Sequence, residues 1–435
     1  MGFPRPSLAC APISSDKMDR LIFHIDVNSA FLSWESARRV KKGESDLRLV
    51  PSAVGGDRDR RTGVILAKSI PAKKYGVSTG EPVSMALRKC PELVIVKPDF
   101  RLYAQCSKKF LAICRKYAPV VEQFSIDECF LDMSGTSRIY PDPVAIAHTI
   151  KDEIRDRLGF TVNVGIGPNK LLAKMASDFE KPDKVHTLFF DELEEKFYPL
   201  PVRDLFTVGR STAKLLDRIN VHTIGELASL DQKALDIIVG GKFAKHLYLV
   251  SHGLDDSPVL AERPEAKGYS NSITLEEDVT TAEEAEQVLL LLSDSVATRL
   301  RADSVRAWCV SVVLRSTDFT DRSKQMRLDT PTDNTDEVFD KVKKLFLELW
   351  DGEDPIRLFG VAAFDVTKEE GQLSFFDDPK KEKSRDVDEV VDSIRERFGM
   401  DTIIRGSICK SPVVPGGRHL RHSTKADGEE KNKKQ

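Results

Sequence analysis

The spacing of hydrophobic and polar residues changes several times along the chain, and each change marks a different kind of element. A short apolar, β-branched run at residues 21–28 (LIFHIDVN) predicts a strand, and the apolar residues after it at helical spacing predict a helix. A β-hairpin at residues 123–134, a helix over residues 143–158 and a strand at residues 160–167 follow. This mixture of strands and helices indicates an α+β domain.

Three further segments have different patterns. Residues 46–97 combine short strand patterns with Gly and Pro, which predicts a small subdomain inserted into the first domain, and residues 200–258 are helical throughout. Residues 269–366 then predict strand, helix, strand, strand, helix and strand. This βαββαβ order is typical of a ferredoxin-like module, so the chain contains a second α+β domain.

Length and composition agree with a soluble protein of several domains. The chain has 435 residues, 40% of them hydrophobic and 31% charged, and no apolar run reaches the roughly 20 residues that span a bilayer. Its seven cysteines form no C-x-x-C pair, so we expect reduced thiols and a cytoplasmic protein. We expect residues 1–18 to be a disordered leader, and either Met1 or Met18 could be the start. The net charge of −3 does not by itself indicate a nucleic-acid partner.

The hairpin sequence QFSIDECFLDMS carries two adjacent acids, Asp127 and Glu128, between apolar residues. We place both acids at the end of the first hairpin strand, with Phe124 and Ile126 in that strand. Like charges at the edge of a core repel each other and lose hydration, so a cation would compensate for them. Asp26 ends the first predicted strand and would join them if the two strands are neighbours. The alternative is a solvated turn, and the pattern alone leaves both readings open.

The ordered motifs HIDVNSAF, SIDECFLDMS, VNVGIGPNKLLAKMASDFEKPD, AKKYGV and VGRSTAKLLDRINVHTIGELA resemble those of Y-family DNA polymerases, the lesion-bypass class. The resemblance covers about Leu21 to Val366. It implies a right-hand fold of palm, fingers and helical thumb plus a ferredoxin-like little-finger domain. On this resemblance we assign the palm to residues 19–35 and 98–190, the fingers to 36–97, the thumb to 191–258, a linker to 259–268, the little finger to 269–367 and a tail to 368–435.

The resemblance also implies an active site. Asp26, Asp127 and Glu128 would be catalytic ligands of two Mg²⁺ ions, and the backbone carbonyl of Val27 would assist them. Phe31 falls at the position of the steric gate, where a ring under the incoming sugar leaves no room for a 2′-hydroxyl. From the helical pattern alone, Phe31 would instead be a core residue.

Two lysines are the expected nucleotide-binding residues by the same resemblance, Lys73 in the fingers and Lys170 in PNKLLAK. The sequence departs from the family pattern nearby. Asn28 stands where many members have a second Asp, and Ile70 and Lys73 replace a Tyr and an Arg. Lysine keeps the charge of arginine but lacks its bidentate fork, so a nucleotide would be held here as by a point charge.

The tail contains one apolar stretch, QLSFF, in charged surroundings. It resembles the bacterial peptide that binds the sliding clamp of the replisome, and its alternative is a segment that folds back on the little finger. The expected clamp-binding residues are Gln372, Leu373, Phe375 and Phe376.

The favoured function is a low-fidelity, template-directed DNA polymerase that acts as a monomer on primer-template DNA with deoxynucleoside triphosphates and needs no membrane. A catalytically silent adaptor is a second hypothesis, although relatives of that kind lack the three acids. A nucleotide cyclase on a similar palm is a third, but a cyclase needs no thumb or little finger.

Overall fold

The computed structural model describes residues 20–56, 63–368, 379–399 and 402–406. The predicted leader and the clamp-like residues Gln372 to Phe376 lie outside these ranges. The described chain divides into two compact units, the first ending at Arg263 and the second beginning at Pro264. No helix in the described ranges has both the length and the apolar character needed to cross a bilayer.

The described part of the first unit contains both strands and α-helices, and it ends in four successive helices. Its strands, in chain order, are β1 (Ile22–Val27), β2 (Ser52–Gly55), β3 (Ile65–Lys68), β4 (Val94–Val96), β5 (Val120–Gln123), β6 (Glu128–Asp132), β7 (Val162–Gly167) and β8 (Val185–Thr187). Its α-helices are α1 (Ala30–Lys41), α2 (Ile70–Lys74), α3 (Val83–Lys89), α4 (Phe100–Cys114), α5 (Pro143–Leu158), α6 (Lys170–Ser177), α7 (Arg210–Asp217), α8 (Ile224–Ala228), α9 (Gln232–Val239) and α10 (Gly241–Ser251).

A five-stranded sheet of order β5-β6-β1-β7-β8 forms the centre of this unit. Strand β1 pairs antiparallel with both β6 and β7, and both faces of β1 are buried. Phe23 and Ile25 point to one face, where they pack in a core that includes Trp34 and Phe160. Because side chains alternate along a strand, Ile22, His24 and Asp26 point to the opposite face.

Helix α6 covers that opposite face at close range. Gly165 of β7, the register partner of His24, makes the approach possible, because a Cβ there would lie only 2.0 Å from the carbonyl oxygen of Ala173. The backbone of α6 therefore runs against β1 and β7, and its side chains reach the ends of β1 and β6. The far side of α6 belongs to the core of the helical region, through residues such as Leu171 and Met175.

A smaller sheet of order β3-β2-β4 is inserted between α1 and α4. It has its own core, whose buried residues are Ala53, Ile65, Ala72, Val77, Val83, Ala86, Cys90 and Leu93. Residues 46–97, where the sequence predicts an inserted subdomain, therefore contain a small sheet with its own cluster of buried residues.

The chain that leaves α10 is held against the large sheet. The side-chain amide of Asn169 donates to the Gly253 carbonyl at 2.8 Å, and the Leu260 amide donates to Glu122 at 2.7 Å. Val259 is buried beside Ile22 in a small apolar cluster. Residues 253–260 thus form a strap over the face that α6 covers.

The second unit has the predicted βαββαβ order. Its elements are β9 (Gly268–Val279), α11 (Ala282–Ala302), β10 (Arg306–Ser316), β11 (Asp321–Thr332), α12 (Thr335–Leu349), β12 (Ile356–Thr367) and α13 (Pro379–Phe398). The strands form one antiparallel sheet of order β11-β10-β12-β9, and α11 and α12 share its core. Asn334 caps α12, with its side chain accepting from the Asp336 and Glu337 amides.

Helix α13, which follows the βαββαβ module, docks on α11 and α12 through charged groups. Arg301 of α11 donates to Asp388 at 3.1 Å and to Asp392 at 2.6 Å, and both Arg301 and Asp388 are almost completely buried. Arg395 pairs with Asp294 at 2.9 Å, and Arg405 pairs with Asp388 at 3.0 Å. The segment IRERFGMDTIIRG, which has no mechanism on sequence grounds, thus supplies two of the arginines in this docked face.

Two local predictions are wrong. The first hairpin strand ends at Gln123, and the second begins at Glu128. Phe124 and Ile126 therefore lie in the turn, and Glu128 is the first residue of the second strand. The wider turn forms because the Phe124 and Ser125 amides both donate to the Glu128 carbonyl, at 3.0 and 3.2 Å. The sequence PNKLLAKMASDFEKP also predicts a helix that Pro182 stops, but α6 already ends at Ser177.

Candidate active site

Asp26 and Glu128 lie directly opposite each other on the antiparallel strands β1 and β6. The predicted approach of these acids depends on the two strands being neighbours, and β1 and β6 do pair. Directly opposed residues have Cβ atoms about 4.5–5.5 Å apart on the same face, so the two carboxylates share one edge of the sheet. Asp26 is only 8% exposed.

Asp127 is one residue before Glu128, in the turn. Its backbone carbonyl accepts a hydrogen bond from the Val27 amide at 3.0 Å, which ties the turn to the end of β1. Its carboxylate accepts from the Ser125 hydroxyl at 2.6 Å. Asp127 therefore has a local partner within its own turn.

Two lysines at the C-terminal end of α6 and just beyond it balance the opposed carboxylates. Lys174 donates to Glu128 at 3.0 Å. Lys181 forms an ion pair with Asp26 and lies 2.8 Å from Asp178. The sequence predicts a cation that compensates for these negative charges. In this structure, the ammonium groups of the two lysines neutralise the carboxylates.

The environments of the two carboxylates displace their pKa values in opposite directions. Burial raises the pKa of Asp26 to about 6, although Lys181 partly offsets the effect. Burial also acts to raise the pKa of Glu128, but the contact with His24 and the charge of Lys174 outweigh it and lower the pKa to about 2.

His24, two residues before Asp26 and on the same face, completes the surroundings of Glu128. Its Nε2 lies 3.5 Å from the Glu128 carboxylate, and its Nδ1 lies 2.7 Å from the Ser177 hydroxyl. The ring is fully buried and packs on Phe130, with the ring centroids 4.7 Å apart.

The predicted three-acid cluster is only partly assembled in this structure. Within the described ranges, no group of three or more His, Cys, Asp or Glu side chains is arranged to hold a metal ion. Asp26 and Glu128 are together, and Asp127 is adjacent but turned to Ser125. The donor chemistry still fits a hard divalent cation, because Mg²⁺ binds carboxylate and carbonyl oxygens.

Phe31 lies in the first turn of α1, close to the end of β1, and is half-buried. Its ring stacks on Tyr103 with centroids 4.7 Å apart and planes inclined by 18°. Trp34 and Phe100 meet it at wider angles, with centroids at 5.9 and 6.1 Å. The aromatic cluster fixes the ring while leaving part of it accessible.

The two lysines predicted to bind nucleotide lie in different settings. Lys170 pairs with both carboxylate oxygens of Glu122, at 2.7 and 2.8 Å, and its ammonium lies over the Phe130 ring. Lys73 is exposed on α2 of the smaller sheet, and its charge helps to lower the pKa of Lys68, after the larger effect of burial. Lys73 is thus available to a ligand, whereas Lys170 is engaged in the strap contact.

In the helical region, Thr207 has a backbone conformation that usually favours glycine. Its φ is +84°, in the left-handed region that a β-branched residue rarely adopts. Gly209 caps α7 two residues later with an extended φ of −80°. The turn keeps the backbone shape that glycine would favour.

Sequence reasoning missed three residues of the site: His24, Lys174 and Lys181. Strand alternation could have placed His24 on the Asp26 face, because the two are separated by two positions. The lysines had no comparable signal, since helix-surface lysines are normally solvated and only the close packing of α6 brings them to the carboxylates.

Comparisons with known proteins identify the family of the chain. The impB/mucB/samB family matches residues 25–178, and the C-terminal domain of that family matches residues 266–375. DNA polymerase IV of Clostridium acetobutylicum is 41% identical over 89% of this chain and 98% of its own length. The corresponding enzyme of Acetivibrio thermocellus is 37% identical over 89% of this chain and 97% of its own length. DNA polymerase IV 2 of Bacillus subtilis is 34% identical over 94% and 98%.

A solved structure of a Y-family DNA polymerase chimera matches the fold with a TM-score of 0.68 at 21% identity, covering 80% of this chain and all of the chimera. The chain belongs to the Y family of DNA polymerases, the impB/mucB/samB family. It is a DNA-directed DNA polymerase of the translesion class, and the curated relatives that it resembles over nearly their full length are DNA polymerases IV.

Proposed function

We propose that this polymerase joins deoxynucleotides to a primer with two Mg²⁺ ions held by Asp26, Asp127 and Glu128, assisted by the Val27 carbonyl. The observation that carries the proposal is the opposed pair of carboxylates, buried Asp26 and partly buried Glu128, with Asp127 next to Glu128 in the chain. Bound in this way, divalent ions stabilise the attacking and leaving oxygens of an in-line phosphoryl transfer.

The lysines of the site would change partners when the ions bind. Lys174 and Lys181 now neutralise Glu128 and Asp26, so metal binding would release two ammonium groups beside the reacting phosphates. Lys181 is the better placed to meet an incoming triphosphate, because its side chain is 36% exposed while that of Lys174 is 10% exposed. Lysine binds phosphate as a point charge, without a fixed geometry.

Three further assignments belong to the proposal. Phe31 would act as the steric gate, since its ring is held by Tyr103 near the end of β1. Lys73, exposed on helix α2 beside the smaller sheet, would attract the nucleotide with its positive charge. Lys170 would serve the strap contact with Glu122 and bind nucleotide only if that ion pair opens.

Recruitment by the sliding clamp is also proposed, through Gln372, Leu373, Phe375 and Phe376, on the strength of the sequence alone. We further propose that the enzyme works in the cytoplasm as a monomer, on primer-template DNA with deoxynucleoside triphosphates. The protein has a formal net charge of −3 and therefore no strong overall attraction to DNA. The clamp would hold the polymerase on DNA in its place.

Primer extension with Mg²⁺ and the four deoxynucleotides tests the central proposal. We expect the wild type to extend the primer and Asp127→Asn/Glu128→Gln to fail, because the variant keeps the shape of the site and loses two charges. Asp132→Asn, at the other end of β6, is the matched control and should extend. Absence of extension by the wild type, with DNA binding intact, would contradict the proposal and favour the adaptor hypothesis.

A further inference from the structure

His24 is a completely buried polar residue beside a proposed metal ligand, and the chemistry described so far does not use it. Its two ring nitrogens face different groups. Nδ1 lies 2.7 Å from the Ser177 hydroxyl oxygen, and Nε2 lies 3.5 Å from a Glu128 carboxylate oxygen. At that distance Nε2 has no hydrogen-bond partner among the residues that the structure describes.

The proton on the neutral ring can sit on either nitrogen, and Ser177 is linked to the choice. The Ser177 hydroxyl has a single proton and two acceptors within reach, His24 Nδ1 and the Lys174 carbonyl at 2.8 Å. If Ser177 donates to Lys174, His24 must donate from Nδ1, and the lone pair of Nε2 then faces a carboxylate. If Ser177 donates to Nδ1, the proton is on Nε2 and points at Glu128.

Only the second arrangement gives the buried Nε2 a partner of the right kind. A carboxylate accepts and never donates when ionised, so a lone pair facing Glu128 would be an unsatisfied buried group. A shift of a few tenths of an ångström would bring Nε2 and Glu128 to a normal hydrogen-bond distance. Glu128 is held on its other oxygen by Lys174, at 3.0 Å, so the two contacts together would fix the plane of the carboxylate.

We propose that His24 is a positioning residue for the polymerase reaction. It donates from Nε2 to Glu128, accepts from Ser177 at Nδ1, and so presents the free lone pairs of Glu128 to the metal. The inference rests on the proposed metal site, and it concerns how a ligand is oriented rather than which residues are ligands. Groups that orient a metal ligand in this manner typically change metal affinity by about 10- to 100-fold when removed.

The proton position can be measured directly, without metal or substrate. Nitrogen NMR of the metal-free, ¹⁵N-histidine-labelled protein distinguishes a protonated from an unprotonated ring nitrogen, and the spectrum of His24→Asn assigns the His24 signals. We expect a protonated Nε2 and an unprotonated Nδ1. A proton on Nδ1 would overturn the proposal, whatever the activity of the enzyme.

A matched pair of variants tests the consequence for the metal. Glutamine places its amide nitrogen near the position of Nε2, whereas asparagine reaches only the position of Nδ1. In primer extension, we expect His24→Asn to raise the Mg²⁺ concentration for half-maximal rate by about tenfold. His24→Gln should stay within about threefold of the wild type, and neither variant should change the KM for deoxynucleotides at saturating Mg²⁺.

The outcomes separate the two proposals. A wild type that extends primers, with a Mg²⁺ requirement unchanged in His24→Asn, would overturn the positioning role and leave the metal site intact. A wild type that does not extend primers would contradict the proposed function, while the nitrogen spectrum would still decide the tautomer. If the variants melt at lower temperature and lose activity in equal proportion at every Mg²⁺ concentration, His24 is only a packing residue.

Discussion

Asp26 and Glu128 face each other across two hydrogen-bonded strands, yet the pKa of Asp26 is raised to about 6 and that of Glu128 is lowered to about 2. Asp26 is displaced chiefly by burial, whereas Glu128 has Lys174 and His24 as close partners that outweigh burial. The pair thus combines a carboxylate that is always charged at neutral pH with one that exchanges its proton just below it.

The raised pKa of Asp26 predicts that the wild-type site costs stability when no metal is bound. The folded protein keeps the Asp26 proton up to about pH 6, whereas the unfolded chain loses it near pH 3.8. Folding therefore becomes less favourable as pH rises through this window, by about 3 kcal/mol in all. We expect Asp26→Asn to raise the free energy of unfolding at pH 7.5 by up to that amount, and by much less at pH 4.5.

Denaturant unfolding in a chelator at the two pH values measures this difference. Asp178→Asn is the control, because Asp178 also contacts Lys181 but is half-exposed. Added Mg²⁺ should stabilise the wild type and leave Asp26→Asn unchanged. An Asp26→Asn variant that is no more stable than the wild type at pH 7.5 would contradict the prediction.

Replacing Lys170 with methionine is expected to lower stability, whereas replacing Lys181 is expected to weaken nucleotide binding. Lys170→Met leaves the largely buried Glu122 without its ammonium partner and with only the Leu260 amide as donor, so we expect the free energy of unfolding to fall by roughly 2 kcal/mol. Its KM for deoxynucleotides should not change. Lys181→Met should leave the melting temperature within a few degrees and raise that KM by about tenfold, the equivalent of about 1.4 kcal/mol of lost binding.

Steady-state kinetics and thermal melting on the same preparations check both expectations. The reverse pattern, with a raised KM in Lys170→Met and an unchanged KM in Lys181→Met, would restore the sequence-based assignment of Lys170 as the nucleotide-binding residue.

Phe31→Ala is expected to weaken the discrimination between deoxynucleotides and ribonucleotides. Removing the ring opens space beside the sugar, and the loss of a steric contact of this size changes selectivity by roughly 10- to 200-fold. The measurement is the ratio of kcat/KM for the two nucleotides. Phe100→Ala is the control, because Phe100 touches the edge of Phe31 and is largely exposed. Equal selectivity in Phe31→Ala and the wild type would remove Phe31 from the gate.

Asp388→Ala is expected to release helix α13 from the second unit. The substitution leaves the buried Arg301 short of one carboxylate and removes the acceptor for the Thr335 amide, at 2.9 Å. Breaking a buried ion pair of this kind costs roughly 3–5 kcal/mol. Hydrogen exchange should therefore accelerate across residues 384–398. Asp386→Ala, two residues earlier and exposed, should exchange like the wild type.

The sequence predicts the regular elements better than their ends. Helix α5 begins and ends where its pattern indicates, at Pro143 and Leu158, because Asp142 caps it and Gly159 stops it with a φ of +80°. The predicted hairpin turn is misplaced, because the alternation at Phe124 and Ile126 resembles that of a strand. The Phe124 and Ser125 amides instead donate to the Glu128 carbonyl, which forms a wider turn.

Only the part of the candidate site that depends on strand pairing can be predicted from the sequence. Adjacent strands bring Asp26 opposite Glu128, and the periodicity of β1 implies that outcome once the pairing is known. The distribution of positive charge depends on tertiary packing, since Gly165 lets α6 approach the sheet and so selects Lys174 rather than Lys170 for the carboxylates. Helix α13 could not be predicted as a packed helix, because its sequence is highly charged. Buried ion pairs hold it against α11.

The contacts of Lys181 with Asp26 and of Ser177 with His24 join residues that are 155 and 153 positions apart in the chain. Closing so long a segment is slow, and it encloses the whole of the smaller sheet. During synthesis the ribosome must release Lys181 before Asp26 can find its counter-ion. The chain therefore emerges with Asp26 early and Lys181 late, so the proposed metal site is completed only after strands β1, β5, β6 and β7 have all been synthesised.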